Sequence, residues 1–153
     1  MVRALRTFNL KDCLREGLLR KTARSREKAW RSIEIAKKWL EEAEKNINNG
    51  AFNSSLISSY LAMFHSARAI LFLDGFREKS HYCIARYLEE HYVKKGILES
   101  KWVGLLDHYR ELRHSGQYSL GFLGTKEEAA HAIKAAKEFT EKMKNLLENL
   151  ERK

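Results

Sequence analysis

The sequence predicts an all-α fold, an up-and-down bundle of four main helices with additional short helices. Three observations support this prediction. The 153 residues contain no proline, which would interrupt a helix interior. Apolar residues recur three and four positions apart along most of the chain, which is the spacing of one helix face. The eight glycines fall mostly between these stretches, where short turns are expected.

Length and composition indicate one domain over residues 1–153. A chain of 153 residues with 44% hydrophobic residues can bury one core but is short for two. The N-terminus lacks the apolar stretch of a signal peptide, and no segment reaches the roughly 18 uncharged apolar residues of a membrane span. We therefore expect a cytoplasmic protein with no membrane partner.

The N-terminal half contains three predicted helices. An amphipathic segment from Asn9 to Arg20 is predicted to form a short helix that covers the bundle. From Ser25 to Asn48 one narrow apolar stripe faces a partner helix, and Gly50 suits the left-handed residue after a helix end. The segment from Asn53 to Leu73 carries two adjacent apolar stripes and no acid before Asp74, so we expect it to be the central helix.

The C-terminal half contains three more. Ser80 can cap a helix that extends to about Lys94 and is closed by Gly96. A fifth helix begins at about Glu99, has apolar residues on one face and meets Gly116. Thr125 and Glu128 have the spacing of a capping box, which predicts the start of a last long helix.

Charge and cysteine content bear on the partner and the compartment. The formal net charge is +9, and residues 1–28 contain nine Lys or Arg against three acids. Such a basic arm favours nucleic acid or an acidic partner, although a positive charge also simply keeps a small protein soluble. Cys13 and Cys83 lie in separate helical patterns without metal-ligand spacing, so they are interpreted as small buried hydrophobes, with neither a disulfide nor a zinc site.

The stretch from Arg110 to Tyr118 contains most of the candidate functional side chains of the chain. Helical spacing places Arg110, Arg113, His114 and Gln117 on neighbouring turns, where they can converge on one anion. Two guanidinium groups can hold a phosphate, and an imidazole can move a proton, as a metal-free ribonuclease requires. The alternative is a solvated basic helix end that is favoured by the helix dipole.

His65 and Arg68 interrupt the apolar central helix three residues apart. Polar groups inside a bundle need partners or a ligand. They are interpreted either as bonded to backbone or to Asp74, or as the floor of a cleft whose rim is Arg110 and Arg113.

A metal centre is the rival interpretation. Glu-x-x-His occurs three times, and paired copies bind di-iron in ferritin-like bundles. That site also needs inward-facing glutamates on two other helices, which the second and central helices lack. We therefore expect no metal and no other cofactor. The three copies are Glu78 to His81, Glu111 to His114 and Glu128 to His131.

The order of landmarks along nearly the whole chain resembles the HEPN family (higher eukaryote and prokaryote nucleotide-binding). Each landmark is weakly specific, and their order and spacing carry the resemblance. In chain order they are Leu10 to Leu14, Gly17 to Leu19, Tyr60, Phe64 to Ala69, Gly75 to His81, Tyr92 to Gly96, Leu112 to Tyr118 and Glu127 to Ala130.

The resemblance implies a homodimeric helical bundle that binds RNA or nucleotide. Many members are metal-independent RNA-cleaving toxins, and many are encoded beside a minimal nucleotidyltransferase that acts as antitoxin. Their nuclease signature is an arginine followed after four to six residues by a histidine. Here Arg113 matches the arginine, but Tyr118 stands where the histidine is expected. The literal pattern occurs at Arg86 and His91, which are interpreted as surface residues of the fourth helix.

Two functions therefore stay open. The first is binding of RNA or nucleotide phosphate by Arg110, Arg113 and Gln117, with His65 and Arg68 beneath; if the protein cleaves RNA, His114 is the expected base. The second is a catalytically inactive subunit that binds a minimal nucleotidyltransferase through its basic face.

Overall fold

The computed structural model describes residues 7–118 and 124–152, with side chains in the fifth helix as far as Ser115. The predicted fold class is confirmed, since the regular structure of the described residues consists mainly of four long and two short helices, with two short strands. The elements are α1 (Leu10–Arg15), β1 (Leu19–Lys21), α2 (Arg26–Asn48), α3 (Phe52–Asp74), β2 (Phe76–Glu78), α4 (His81–Leu88), α5 (Ser100–Tyr118) and α6 (Lys126–Glu151).

Helix α3 is the centre of the bundle, as its two apolar stripes predicted. It packs against α2, α4, α5 and α6. Tyr60, Met63 and Ile70 on this helix are all at most 1% exposed. Its length and composition would also suit a membrane span, but 67% of its most apolar 18-residue stretch is buried inside the bundle, as expected for a core helix. Gly75 ends the helix with a φ of +85°, a conformation that glycine adopts without strain.

The predicted first helix is too long. Helix α1 ends at Arg15, and Gly17 with a φ of +70° turns the chain into β1. Strand β1 pairs antiparallel with β2, with Leu19 opposite Glu78. The amphipathic pattern missed this change because the apolar Leu19, which is 2% exposed, serves the core equally well from a strand. This two-stranded antiparallel ribbon fixes the chain immediately before α4.

The two cysteines form a disulfide, so the interpretation of two unpaired buried cysteines is wrong. Cys13 on α1 and Cys83 on α4 have Cα atoms 5.9 Å apart and are separated by 70 residues in the chain. Helix α1 packs against α4, which brings together residues whose sequence spacing carries no signal. The Tyr82 hydroxyl also donates to the carbonyl oxygen of Phe8 at 2.8 Å, so α4 holds the N-terminal segment at two adjacent positions.

The remaining helix ends differ from prediction in detail. After Leu88, α4 continues as a π-helical turn over Glu89–Val93. Helix α5 passes through Gly116 and ends at Tyr118. The capping interaction of α6 is confirmed, because the Glu128 amide donates to Thr125 Oγ1 at 3.1 Å. Gly50 has the left-handed φ of +76° that its position predicted.

Candidate phosphate-binding site

One open pocket on α5 brings together three of the sequence-predicted site residues. Arg110, Arg113 and His114 line it together with Glu111 and Ser115, and its volume is about 460 Å³. The spacing of one helical turn explains why these side chains share a surface. The two other candidates on this helix, Gln117 and Tyr118, have side chains that lie outside the described residues.

Arg113 connects this pocket to the interior of the bundle. Its guanidinium carbon lies 5.3 Å from the centroid of the Tyr60 ring, a cation–π contact with α3. Within residues 7–118 and 124–152 no acidic side chain forms an ion pair with it, and its Nε atom is buried without a hydrogen-bond partner. A guanidinium group in this position is a donor for an anion that enters the pocket.

Arg110 is held more firmly than Arg113. Its guanidinium donates to Asp107 and lies 3.5 Å from Glu111 Oε1. Its guanidinium carbon is 5.0 Å from the centroid of the Tyr82 ring. Arg110 therefore contributes an oriented but partly neutralised charge to the pocket.

Arg86 belongs to the same network, and its interpretation as a surface residue is wrong. Its side chain is only 12% exposed, pairs with Asp107 on α5, and lies 4.6 Å from the Tyr82 ring centroid. Asp107 thus accepts from both Arg86 and Arg110. The carboxylate joins α4 to α5, because these two long side chains reach it from different helices. His91 packs on Tyr87, with ring centroids 4.5 Å apart.

A histidine that the sequence interpretation did not propose for the phosphate site lies beside Arg113. His81, the first residue of α4, has its Nδ1 atom 3.0 Å from the Tyr60 hydroxyl oxygen. Its ring stacks on Phe64 with centroids 4.0 Å apart. Burial, together with the positive charges of Arg113, Arg110 and Arg68, lowers the pKa of His81 to about 4. The imidazole is therefore neutral at pH 7.

Burial also raises the pKa of the Tyr60 hydroxyl above its usual range, against the lowering effect of Arg113 and Arg110. Tyr60 is 1% exposed. The phenol is therefore protonated at pH 7 and can either donate to the imidazole or accept from it. The contact between Tyr60 and His81 could not be predicted from sequence periodicity. Tyr60 belongs to an apolar stripe of α3, and His81 simply follows the predicted helix cap Ser80.

His65 and Arg68 lie deeper along α3 and do not line the pocket. Arg68 pairs with Glu78 on β2 at 2.9 Å, not with Asp74 as one interpretation expected. Asp74 instead accepts from Tyr87 at 2.7 Å and from Tyr92 at 2.5 Å. The buried carboxylate of Glu78 on β2 therefore compensates the charge of Arg68.

His65 has a buried Nδ1 atom without a hydrogen-bond partner. Burial, together with the effects of Arg68 and His81, lowers the pKa of His65 to about 4. Arg113 and His81 thus both contact Tyr60, whereas Arg68 pairs with Glu78 on β2.

The Glu-x-x-His pairs do not assemble into a metal centre in the described part of the chain. There, no three His, Cys, Asp or Glu side chains are grouped so that they could hold an ion. Glu78 is engaged by Arg68, and His81 by Tyr60. The Glu78 carboxylate and the Nδ1 atom of His81, which a di-iron site here would need as ligands, are therefore already engaged by other side chains.

The described residues form a helical bundle with a cationic pocket near the end of its fifth helix. The HEPN domain profile matches residues 29–146, so the chain belongs to the HEPN domain family. The match extends from the first buried turn of α2 to the last buried turn of α6.

Three curated relatives are similar to the chain. A protein of Methanocaldococcus jannaschii named as a putative toxin is 27% identical over 82% of this chain and 92% of its own length. A UPF0332 protein of Archaeoglobus fulgidus is 27% identical over 74% of the chain and 90% of its own length. A UPF0332 protein of Pyrococcus horikoshii is 31% identical over 55% of the chain, and the match spans only 59% of that relative.

Proposed function

We propose that this HEPN protein binds RNA at the α5 pocket and cleaves it without a metal ion, as a toxin. The observation that carries the proposal is Arg113, which lines the pocket together with Arg110 and forms no ion pair with an acidic side chain among the described residues. Membership of the HEPN family and the similarity to a relative named as a toxin support the same function.

The chemistry of the pocket suits a phosphodiester. A guanidinium group donates two parallel hydrogen bonds to phosphate oxygens, and Arg113 has no competing carboxylate in the part of the chain that the structure describes. The excess of 29 Lys and Arg over 20 Asp and Glu also draws a polyanion toward the surface. During cleavage the same guanidinium would stabilise the extra negative charge on the phosphorus oxygens.

A homodimer would place two such pockets in one particle. His114 is exposed at the pocket rim, where it is accessible to RNA and to a second copy of the chain. A two-fold interface over α5 would bring the His114 side chains close to the arginines of the other subunit. Size-exclusion chromatography with light scattering tests whether the chain is a dimer.

Cleavage and binding are tested separately. The purified protein is incubated with a fluorescent single-stranded RNA of mixed sequence in EDTA, and binding is measured with the 2′-O-methyl form of the same oligonucleotide, which cannot be cleaved through the 2′-hydroxyl. Arg113→Ala is expected to lower the cleavage rate about 100-fold and to weaken binding about tenfold. Arg31→Ala, which removes an exposed arginine from α2, is the matched control and should change neither. Equal binding by wild type and Arg113→Ala would contradict the proposal.

Tyr118 favours a second candidate, a non-cleaving subunit of a minimal nucleotidyltransferase. This chain has a tyrosine where the resemblance calls for the catalytic histidine. In that case the wild type would bind the 2′-O-methyl RNA or a nucleotide but leave RNA intact. Co-purification with a nucleotidyltransferase encoded next to the gene would then be expected.

A further inference from the structure

We propose that His81 is the general base of RNA cleavage at this site, held in place by the Tyr60 hydroxyl. The inference rests on the proposed function, because it names the residue that removes the proton from the attacking ribose 2′-hydroxyl. It assigns this step to the start of α4, rather than to His114 on α5.

The first argument is position. Tyr60 is contacted from both sides of the site, by the Arg113 guanidinium at 5.3 Å from the ring centroid and by His81 Nδ1 at 3.0 Å from the hydroxyl oxygen. A phosphate bound to Arg113 would therefore be close to the tyrosine whose hydroxyl holds the imidazole of His81. A base and an anion-binding arginine on one rigid support are what an in-line attack requires.

The second argument concerns the two nitrogens of the imidazole. Nδ1 is occupied by Tyr60, which is protonated and can accept a hydrogen bond from Nδ1–H. Nε2 has no hydrogen-bond partner among the described residues and is not one of their fully buried unpaired polar atoms. With the proton on Nδ1, the lone pair on Nε2 is free to accept a proton from substrate.

The neighbouring charges keep the base in its active form. Burial contributes most to the low pKa of His81, and the charges of Arg113 and Arg110 on α5 and of Arg68 on α3 act in the same direction. Glu78 on β2 neutralises Arg68, and the nearby His65 is itself neutral. A neutral imidazole is the form that can accept a proton. A bound phosphodiester would offset the positive charges and bring the basicity of the imidazole closer to its ordinary value.

Competing histidines fit the role less well. His65 has its Nδ1 atom buried without a partner, so it lacks the hydrogen bond by which Tyr60 holds the ring of His81. His114 is exposed at the rim. His81 is stacked at 4.0 Å on Phe64, which fixes its ring plane as a general base requires.

The step balances without any further reactant except water. Nε2 of His81 takes the proton of the 2′-hydroxyl, the 2′-oxygen forms a bond to the adjacent phosphorus, and the bond from phosphorus to the 5′-oxygen breaks. The 5′-oxygen takes a proton from water, and His81 later returns its proton to solvent. The products are an RNA ending in a 2′,3′-cyclic phosphate and an RNA beginning with a 5′-hydroxyl.

The test compares His81→Gln with His114→Ala and with His131→Ala, which removes an exposed histidine from α6. Each variant is incubated with the fluorescent RNA in EDTA, and its affinity for the 2′-O-methyl RNA is measured in parallel. Glutamine retains a polar side chain of similar length but cannot accept the proton. Circular dichroism and thermal unfolding establish that each variant is folded.

We expect His81→Gln to cleave at least 100-fold more slowly than wild type while its affinity for 2′-O-methyl RNA changes less than threefold. His131→Ala should match wild type, and the wild-type products should carry cyclic phosphate ends. Added imidazole should restore part of the activity of His81→Ala, because a small base can occupy the space left by the side chain. This rescue would not occur if His81 had only a structural role.

Three results would overturn the assignment in distinguishable ways. Cleavage by His81→Gln at the wild-type rate, with loss in His114→Ala, would remove His81 but leave the proposed function intact. Binding of the 2′-O-methyl RNA by a wild type that does not cleave would overturn both the cleavage step and the role of His81. A wild type that neither binds nor cleaves would overturn the proposed function itself.

Discussion

The guanidinium carbon of Arg113 lies 5.3 Å from the centroid of the Tyr60 ring. This contact fixes the cation of the pocket to the central helix, since Tyr60 is 1% exposed and belongs to the core of α3. A planar guanidinium can lie over an aromatic ring and still present its edge to a phosphate. The orientation of the anion-binding group therefore depends on a residue buried in the bundle.

Arg113→Lys tests whether this geometry matters beyond charge. Lysine keeps the positive charge but loses the planar contact and the paired donors, so we expect the dissociation constant for 2′-O-methyl RNA to rise about tenfold, or about 1.4 kcal/mol. Fluorescence anisotropy at fixed salt measures it. Lys101→Arg, at an exposed position on the same helix, is the control and should leave the affinity unchanged. An unchanged affinity for Arg113→Lys would mean that charge alone binds the RNA.

Asp107→Asn is expected to change the stability of the fold without weakening RNA binding. Asp107 accepts from Arg86 and Arg110, and its loss of charge removes the closest ion-pair partner of two mostly buried guanidinium groups. We expect the free energy of unfolding to fall by about 2 kcal/mol. RNA affinity should hold or increase, because Arg110 is released toward the pocket. Urea unfolding and anisotropy measure the two quantities.

The matched control for that variant is Glu111→Gln. The Glu111 side chain is 78% exposed and lies 3.5 Å from Arg110, so its removal should change stability by less than about 0.5 kcal/mol. Equal destabilisation by both variants would show that Asp107 does not connect α4 to α5 as the structure indicates.

Local sequence patterns predicted the long helices well because each helix satisfies its own backbone and buries its own apolar face. The stripes of α2 and α3, the glycine after α2, and the capping interaction of Thr125 with Glu128 were all predictable in this way. The closeness of Arg110, Arg113 and His114 followed from the same periodicity. Helical spacing determines which neighbours share a face, and it needs no knowledge of the rest of the chain.

Contacts between distant segments were not predictable from those patterns. The disulfide joins residues 70 positions apart, and β1 pairs with β2 across two helices. The pairing of Arg68 with Glu78 and that of Tyr60 with His81 depend on how the chain turns after α3. His81 was missed as a phosphate-site residue for this reason, since it approaches Arg113 only after β2 and α4 have been placed.

Removal of the disulfide should lower stability substantially. The bond restricts an unfolded chain in which 70 positions separate the cysteines, and loss of that restriction corresponds to about 4 kcal/mol of unfolding free energy. Urea unfolding of Cys13→Ala/Cys83→Ala measures it. Wild type in a reducing agent should shift toward the double variant, and the double variant should not respond to the agent. A wild type that is insensitive to reduction and as stable as the double variant would contradict the bond.

Stability should decrease as the pH is lowered from 7 to 5. The pKa of both His65 and His81 is about 4 in the folded protein, below the ordinary value of 6.5 that applies when the chain is unfolded. As the pH falls below about 6.5 the unfolded state gains protons that the folded state does not, so unfolding becomes easier. We expect a loss of about 1 kcal/mol for each histidine over this range, after allowing for solvent screening.

Urea unfolding of His65→Gln at pH 7 and pH 5 measures the share of one histidine in that loss. The variant should lose about 1 kcal/mol less than wild type between the two pH values, because glutamine does not titrate. His131→Gln, at an exposed position on α6, should behave as wild type. An identical pH dependence for wild type and His65→Gln would show that burial does not hold the imidazole neutral.

Gly75→Ala should disturb the site from a distance, because Gly75 sets the path of the chain from α3 to His81. Its φ is +85°, and a Cβ atom there would lie 2.9 Å from the Thr22 carbonyl oxygen, which is backbone and cannot move aside cheaply. Gly50 has a similar φ of +76° but open space around it, so Gly50→Ala isolates the cost of the backbone conformation alone. We expect about 1 kcal/mol of destabilisation for Gly50→Ala and at least about 2 kcal/mol for Gly75→Ala. Only Gly75→Ala should also slow RNA cleavage, since it displaces the strand and helix that hold His81; equal effects of the two variants on cleavage would refute this connection.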